Sequence, residues 1–122
     1  MKRRALLGAA AGAFVAFAIP AAAHAMLESA APRVGATVSA APPELQLRFS
    51  EVVVPSLSRV TLSDSRGVRV ALGDLCSAPN SRRVLCAPLP PHLAAGAYRV
   101  RWRVVSADSH VTQGEFTFTI QA

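Results

Sequence analysis

Three histidines and seven carboxylates are the side chains of this 122-residue chain best suited to holding a metal ion. Asp108-Ser109-His110 forms a D-x-H unit. Residues i and i+2 of an extended segment point to the same side, so this carboxylate and imidazole can converge on one ion. The same unit serves equally well as a hydrogen-bonded Asp–His pair in a turn. His24 adds a second element, because a chain cut before it offers both an α-amine and a ring nitrogen from one residue. Together with His110 and Asp108 this makes three nitrogens and one oxygen. That donor set suits tetragonal Cu(II), which also leads the divalent first-row affinity order. His92, in Pro91-His92-Leu93, reads as a surface loop residue.

Whether His24 is ever an N-terminus depends on the segment before it. Lys2-Arg3-Arg4 is a positive n-region, Ala5 to Ile19 is apolar, Pro20 breaks the run, and Ala21-Ala22-Ala23 is an A-x-A cleavage signal. About 15 apolar residues fall short of the roughly 20 that a membrane span needs. Residues 1–23 therefore read as a cleaved secretory signal peptide and 24–122 as the mature domain. Ala23-His24-Ala25 is itself an A-x-A, so a cut after Ala25 competes with one after Ala23 and would discard the histidine.

Export changes the meaning of the charge. The whole chain carries 13 basic and 7 acidic residues, a formal net charge of +6, but three of the basic residues belong to the leader. The mature part keeps ten arginines against the same seven acids, a modest excess that argues against a nucleic-acid partner. Its 99 residues suffice for one small domain and exclude a multi-domain enzyme or a Rossmann-type cofactor fold. Cys76 and Cys86, with nine residues between them, read as one structural disulfide in an oxidising compartment.

The elements that must position these residues are strands. Leu45, Leu47 and Phe49 alternate with polar residues, Val60 and Leu62 sit in a second run, and Asp64-Ser65-Arg66-Gly67 is a turn signal before Val68-Arg69-Val70. Arg83 to Ala87 makes a further short strand. Tyr98 to Val104 places four apolar residues on one face and Arg99, Arg101 and Arg103 on the other; Phe116, Phe118 and Ile120 alternate in the last strand. The arginines read as a solvated sheet face and Trp102 as core. The pattern predicts an all-β domain, a Greek-key β-barrel or immunoglobulin-like β-sandwich of about seven strands.

Three stretches carry a family resemblance. His24-Ala25-Met26-Leu27-Glu28-Ser29-Ala30-Ala31-Pro32 followed by Gly35, Pro42 through the F-S-E of Phe49-Ser50-Glu51, and Ala95 through Asp108-Ser109-His110 to Phe118 resemble the CopC family of periplasmic copper-resistance proteins. The resemblance implies a Greek-key barrel binding one Cu(II) per chain in the periplasm, as a carrier or buffer. It places the copper ligands on His24 (amine and ring), Asp108 and His110, and makes Glu51 a nearby carboxylate that either supports the ligands or serves as a weak extra one. It favours cleavage before His24, and it implies a monomer and an inner-membrane partner of the CopD type. It also exposes a departure: some members carry a methionine-rich loop that binds Cu(I), whereas the mature chain here retains only Met26 and holds Cys76 and Cys86 in the corresponding central region, and soft ligands select Cu(I). Two other readings stand beside the carrier. One is a copper-dependent oxidative enzyme built, like polysaccharide monooxygenases, on an N-terminal histidine chelate. There Asp108 would fill the position that oxygen needs. The other is a metal-free immunoglobulin-like accessory module.

Overall fold

A computed structural model describes residues 24–122; residues 1–23, the expected signal peptide, lie outside them. The described chain forms nine strands: β1 (Leu27–Ala31), β2 (Thr37–Val38), β3 (Glu44–Phe49), β4 (Arg59–Asp64), β5 (Arg69–Val70), β6 (Cys76–Ala78), β7 (Ser81–Pro88), β8 (Gly96–Val105) and β9 (Val111–Ile120). They build two sheets, ordered β1-β3-β7-β6 and β2-β9-β8-β4-β5. All pairings are antiparallel except that of β2 with β9. The result is a two-layer β-sandwich, as the alternation requires.

The core lies between the sheets. Leu45, Leu47 and Phe49 of β3 face Val100, Trp102 and Val104 of β8, with Leu62, Leu85, Phe116 and Phe118 completing the cluster. Strands with one buried face and one wet face expose every second residue, and β3 and β8 do so over their whole lengths. β7 departs from this: Val84 to Ala87 are all buried. One reason is covalent, since Cys86 is bonded to Cys76 directly across from it on β6, with Cα atoms 5.0 Å apart. The expected disulfide is thus a cross-strand staple. Denatured but unreduced protein should show no free thiol, and reduction should release two; a full reaction with a thiol reagent before reduction would contradict the pairing.

Nine strands form where about seven were expected. β2 and β5 have only two residues each and β6 has three, too short for a period-2 signal. The predicted turn after β4 is present. Gly67 has φ +82°, and one carboxylate oxygen of Asp64 accepts from the backbone N–H groups of both Arg66 and Val68 at 2.9 Å. Those hydrogen bonds, with that of Val68 the strongest, hold the Asp64 carboxyl below the usual carboxylate range.

Candidate metal centre

The candidate ligands gather at one end of the sandwich, where β8 turns into β9 and the chain enters from His24. The end of β8 is closed by a tight turn. Ser106 N–H donates to the His110 carbonyl and Ser109 N–H to the Ser106 carbonyl, both at 2.9 Å, while Ser109 adopts φ +74°. The D-x-H unit therefore lies in a turn and not in an extended segment. It is this turn, and not the two-residue repeat of a strand, that brings Asp108 and His110 together.

Asp108 Oδ2 lies 3.2 Å from His110 Nδ1, with both side chains about half exposed. Two donors on one ion, each about 2 Å from it, stand roughly 3 Å apart when they are neighbours in its coordination shell. The pair thus has the spacing of an Asp–His hydrogen bond and equally that of a shared ion. Ser106 fixes the carboxylate from behind: its hydroxyl donates to Asp108 Oδ1 and lies 3.2 Å from the His110 carbonyl, and the residue is only 2% exposed. The Ser106 hydrogen bond, followed by contacts with His110, holds the Asp108 carboxyl below its ordinary range. Replacing Ser106 by Ala should raise that pKa, read from the Asp108 carboxyl carbon by NMR titration. An unchanged value would show that the hydroxyl does not set it. Because a depressed carboxyl stabilises the fold above its unfolded pKa, this contribution is complete above about pH 4 and is lost as pH falls through the folded value.

His24 is brought in by its neighbours' backbone. Ala25 is buried, and its carbonyl accepts from the Thr112 hydroxyl at 2.7 Å. Met26 N–H donates to Ser50 Oγ, and Ser50 N–H returns a bond to the Met26 carbonyl, each at 2.8 Å. The entering chain is thereby clamped between the end of β3 and the start of β9. The His24 and His110 ring centres lie 4.9 Å apart, within the roughly 4.5–6.5 Å that two imidazoles on one ion require.

Convergence is incomplete in one respect. Among the described residues, the donor atoms of His24, Asp108 and His110 do not all fall within 4.8 Å of one another; the tighter trio is Glu44, Cys76 and Cys86, whose sulfurs are spent in the disulfide. Glu51 lines a small cavity of about 210 Å³ together with Asp108, Ser106 and Arg83. His92 is an exposed loop residue with φ +64°, remote in the fold from this end.

Sequence reasoning did not single out Ser50, Ser106 or Thr112. Their signal is a hydroxyl placed where a strand ends beside a candidate ligand, Ser50 next to Glu51 and Ser106 two before Asp108.

Residues 27–121 match the CopC domain. The chain is 32% identical over 117 residues to copper resistance protein C of Escherichia coli, covering 90% of this chain and 91% of that one. The crystal structure of CopC from Methylosinus trichosporium OB3b superposes with a TM-score of 0.74 at 35% identity, over 80% of this chain and 94% of that one. PcoC, a methionine-rich copper resistance protein from Escherichia coli, gives 0.72 at 32% identity, over 80% and 99%. The coverage takes in both sheets and the β8–β9 turn that carries Asp108 and His110, and on these grounds the chain belongs to the CopC family.

Proposed function

We propose that the mature protein begins at His24, resides in the periplasm, and binds one Cu(II) ion as cargo, acting as a carrier or buffer in copper resistance. The observation that carries this reading is the meeting of three elements at one end of the sandwich: the clamped His24 segment, the His110 ring 4.9 Å from that of His24, and the Asp108 carboxylate on His110. The names of its relatives, copper resistance proteins, support the same cargo. His24 supplies amine and ring nitrogens, His110 a ring nitrogen and Asp108 an oxygen, while Ser106 holds the carboxylate and Glu51 stands outside the ligand set. Nitrogen-rich, oxygen-completed coordination favours Cu(II) over Cu(I), and the single mature methionine, Met26, offers little for the softer ion.

The chain's chemistry is binding and release, not turnover. His24, Asp108 and His110 would together supply four donors to the ion, leaving little room for oxygen to bind. The reading includes a monomeric mature domain of residues 24–122 and a CopD-type inner-membrane protein as recipient or donor; no helix among the described residues is long and apolar enough to cross a membrane. Titration of the mature protein against a Cu(II) chelator should give one ion per chain. With ascorbate as reductant, the loaded protein should not cleave chitin or cellulose. A substoichiometric titration would contradict the binding site, and reductant-dependent cleavage would favour the enzyme.

A further inference from the structure

The arginines of β8 do not stand alone. On the exposed face of the five-stranded sheet, Arg99, Arg101 and Arg103 are joined by Arg59 of β4 and Arg69 of β5. Glu115 of β9 answers two of them, with Arg101 Nε 3.1 Å from its Oε1 and Arg99 on its other oxygen. Arg59 and Arg103 face each other directly across β4 and β8. Neither forms an ion pair among the described residues. Like charges opposite one another in a sheet are destabilising, so this pair costs the fold something it does not recover internally. Both residues line a shallow cleft of about 430 Å³ with Thr61, Arg101, Gln113 and Glu115.

We propose that this face is a docking surface for an acidic segment of a partner protein, whose carboxylates seat on Arg59 and Arg103. The Glu115 carboxylate held between Arg99 and Arg101 displays the mode of contact. Arginine forks suit it because they bind carboxylates bidentately and retain their charge at any physiological pH. An anionic membrane fits less well. Stable attachment to lipid needs an apolar anchor beside the basic patch, and the large exposed apolar residues near these arginines are two single valines, Val68 beside Arg69 and Val111 at the start of β9, a small anchor for a bilayer. The location is suited to cargo exchange. Gln113, which pairs with Arg103, is three residues from His110, about 10 Å along the strand.

The test uses the mature protein without copper and a fluorescent ten-residue peptide of alternating Glu and Asp. Binding should weaken with salt, and R59S/R103S should lower affinity about ten-fold, as should R103Q in lesser measure. R48S/R82S, which removes the same charge from the four-stranded sheet, should change affinity less than about two-fold. Copper affinity of R59S/R103S should equal that of the parent, which certifies the fold and separates this surface from the metal site. Equal losses in the two double variants would overturn the proposal in favour of net charge alone. So would absence of peptide binding, or arginine-dependent binding to phosphatidylglycerol vesicles in preference to the peptide.

Discussion

His24→Ala should weaken Cu(II) binding more than any other single substitution, by at least about 100-fold in competition with a Cu(II) chelator. Removal of groups that merely orient a ligand already costs metal sites roughly 10–100-fold, and this change removes a ligand outright. It deletes the ring nitrogen and breaks a chelate made within one residue, leaving only the bare amine. His110→Ala should follow closely, since it removes the second imidazole and also the contact that holds Asp108 Oδ2. Asp108→Ala should cost less, because a carboxylate is the weaker partner for Cu(II). Glu51→Gln should have the smallest effect, because Glu51 is assigned no donor to the ion, although it shares a small cavity with Asp108. If both histidine variants bind copper like the parent, the ligand assignment is wrong; if the parent itself takes up no copper, the metal-free module becomes the better account.

Gly114→Val should unfold the domain at markedly lower temperature, although valine is the better strand former. A Cβ at position 114 would lie 2.6 Å from Cζ2 and 3.0 Å from Cε2 of Trp102, which pairs with it across β8 and β9. The indole cannot simply withdraw. It packs edge-on against Phe49 with ring centres 5.1 Å apart, and its Nε1 is buried without a hydrogen-bond partner among the described residues, so packing holds it. Overpacking of this kind costs about 1–3 kcal/mol, each kcal/mol lowering Tm by roughly 4–8 °C in a domain of this size. Strand propensity alone would give the opposite sign. Thermal unfolding followed by circular dichroism decides between them; a Tm at or above the parent's would mean that Trp102 does not rest on the Gly114 backbone.

The sandwich was legible wherever one face of a strand is buried. Leu45-Gln46-Leu47-Arg48-Phe49 and Tyr98 to Val104 show the period because every second residue enters the core, and Asp64 to Gly67 shows its turn because the Asp carboxylate and a positive-φ glycine are both needed there. β1 escaped notice because Leu27–Ala31 is an edge strand whose residues are all exposed or half-buried, so no alternation marks it. At the site, the residue types of Asp108 and His110 were readable, but their convergence was not. It depends on Ser109 adopting a positive φ and on the Ser106 hydroxyl turning back onto Asp108, neither of which has a periodic signature. The clamp on the His24 segment was hidden for a similar reason, since Ser50 lies 26 positions from His24 and Thr112 lies 87 from Ala25, and these partners meet only in the folded sheet pair.

Copper binding at an N-terminal histidine also carries a proton signature. Amine and imidazole nitrogens in simple peptides titrate at roughly 7.7–8.0 and 6.5, and each must be free of its proton to bind. Apparent affinity should therefore fall steeply from neutral pH toward about 5, whereas a site made only of carboxylates would hold its affinity down to about 4.

The measurement that reaches the central claim most directly joins intact mass to electron paramagnetic resonance on copper-loaded protein recovered from the periplasm. A chain starting at His24, with one Cu(II) and three coordinated nitrogens, is the expected result. A chain starting at Met26 that still holds one Cu(II) with comparable affinity would contradict it, because both nitrogens of the His24 chelate would then be gone.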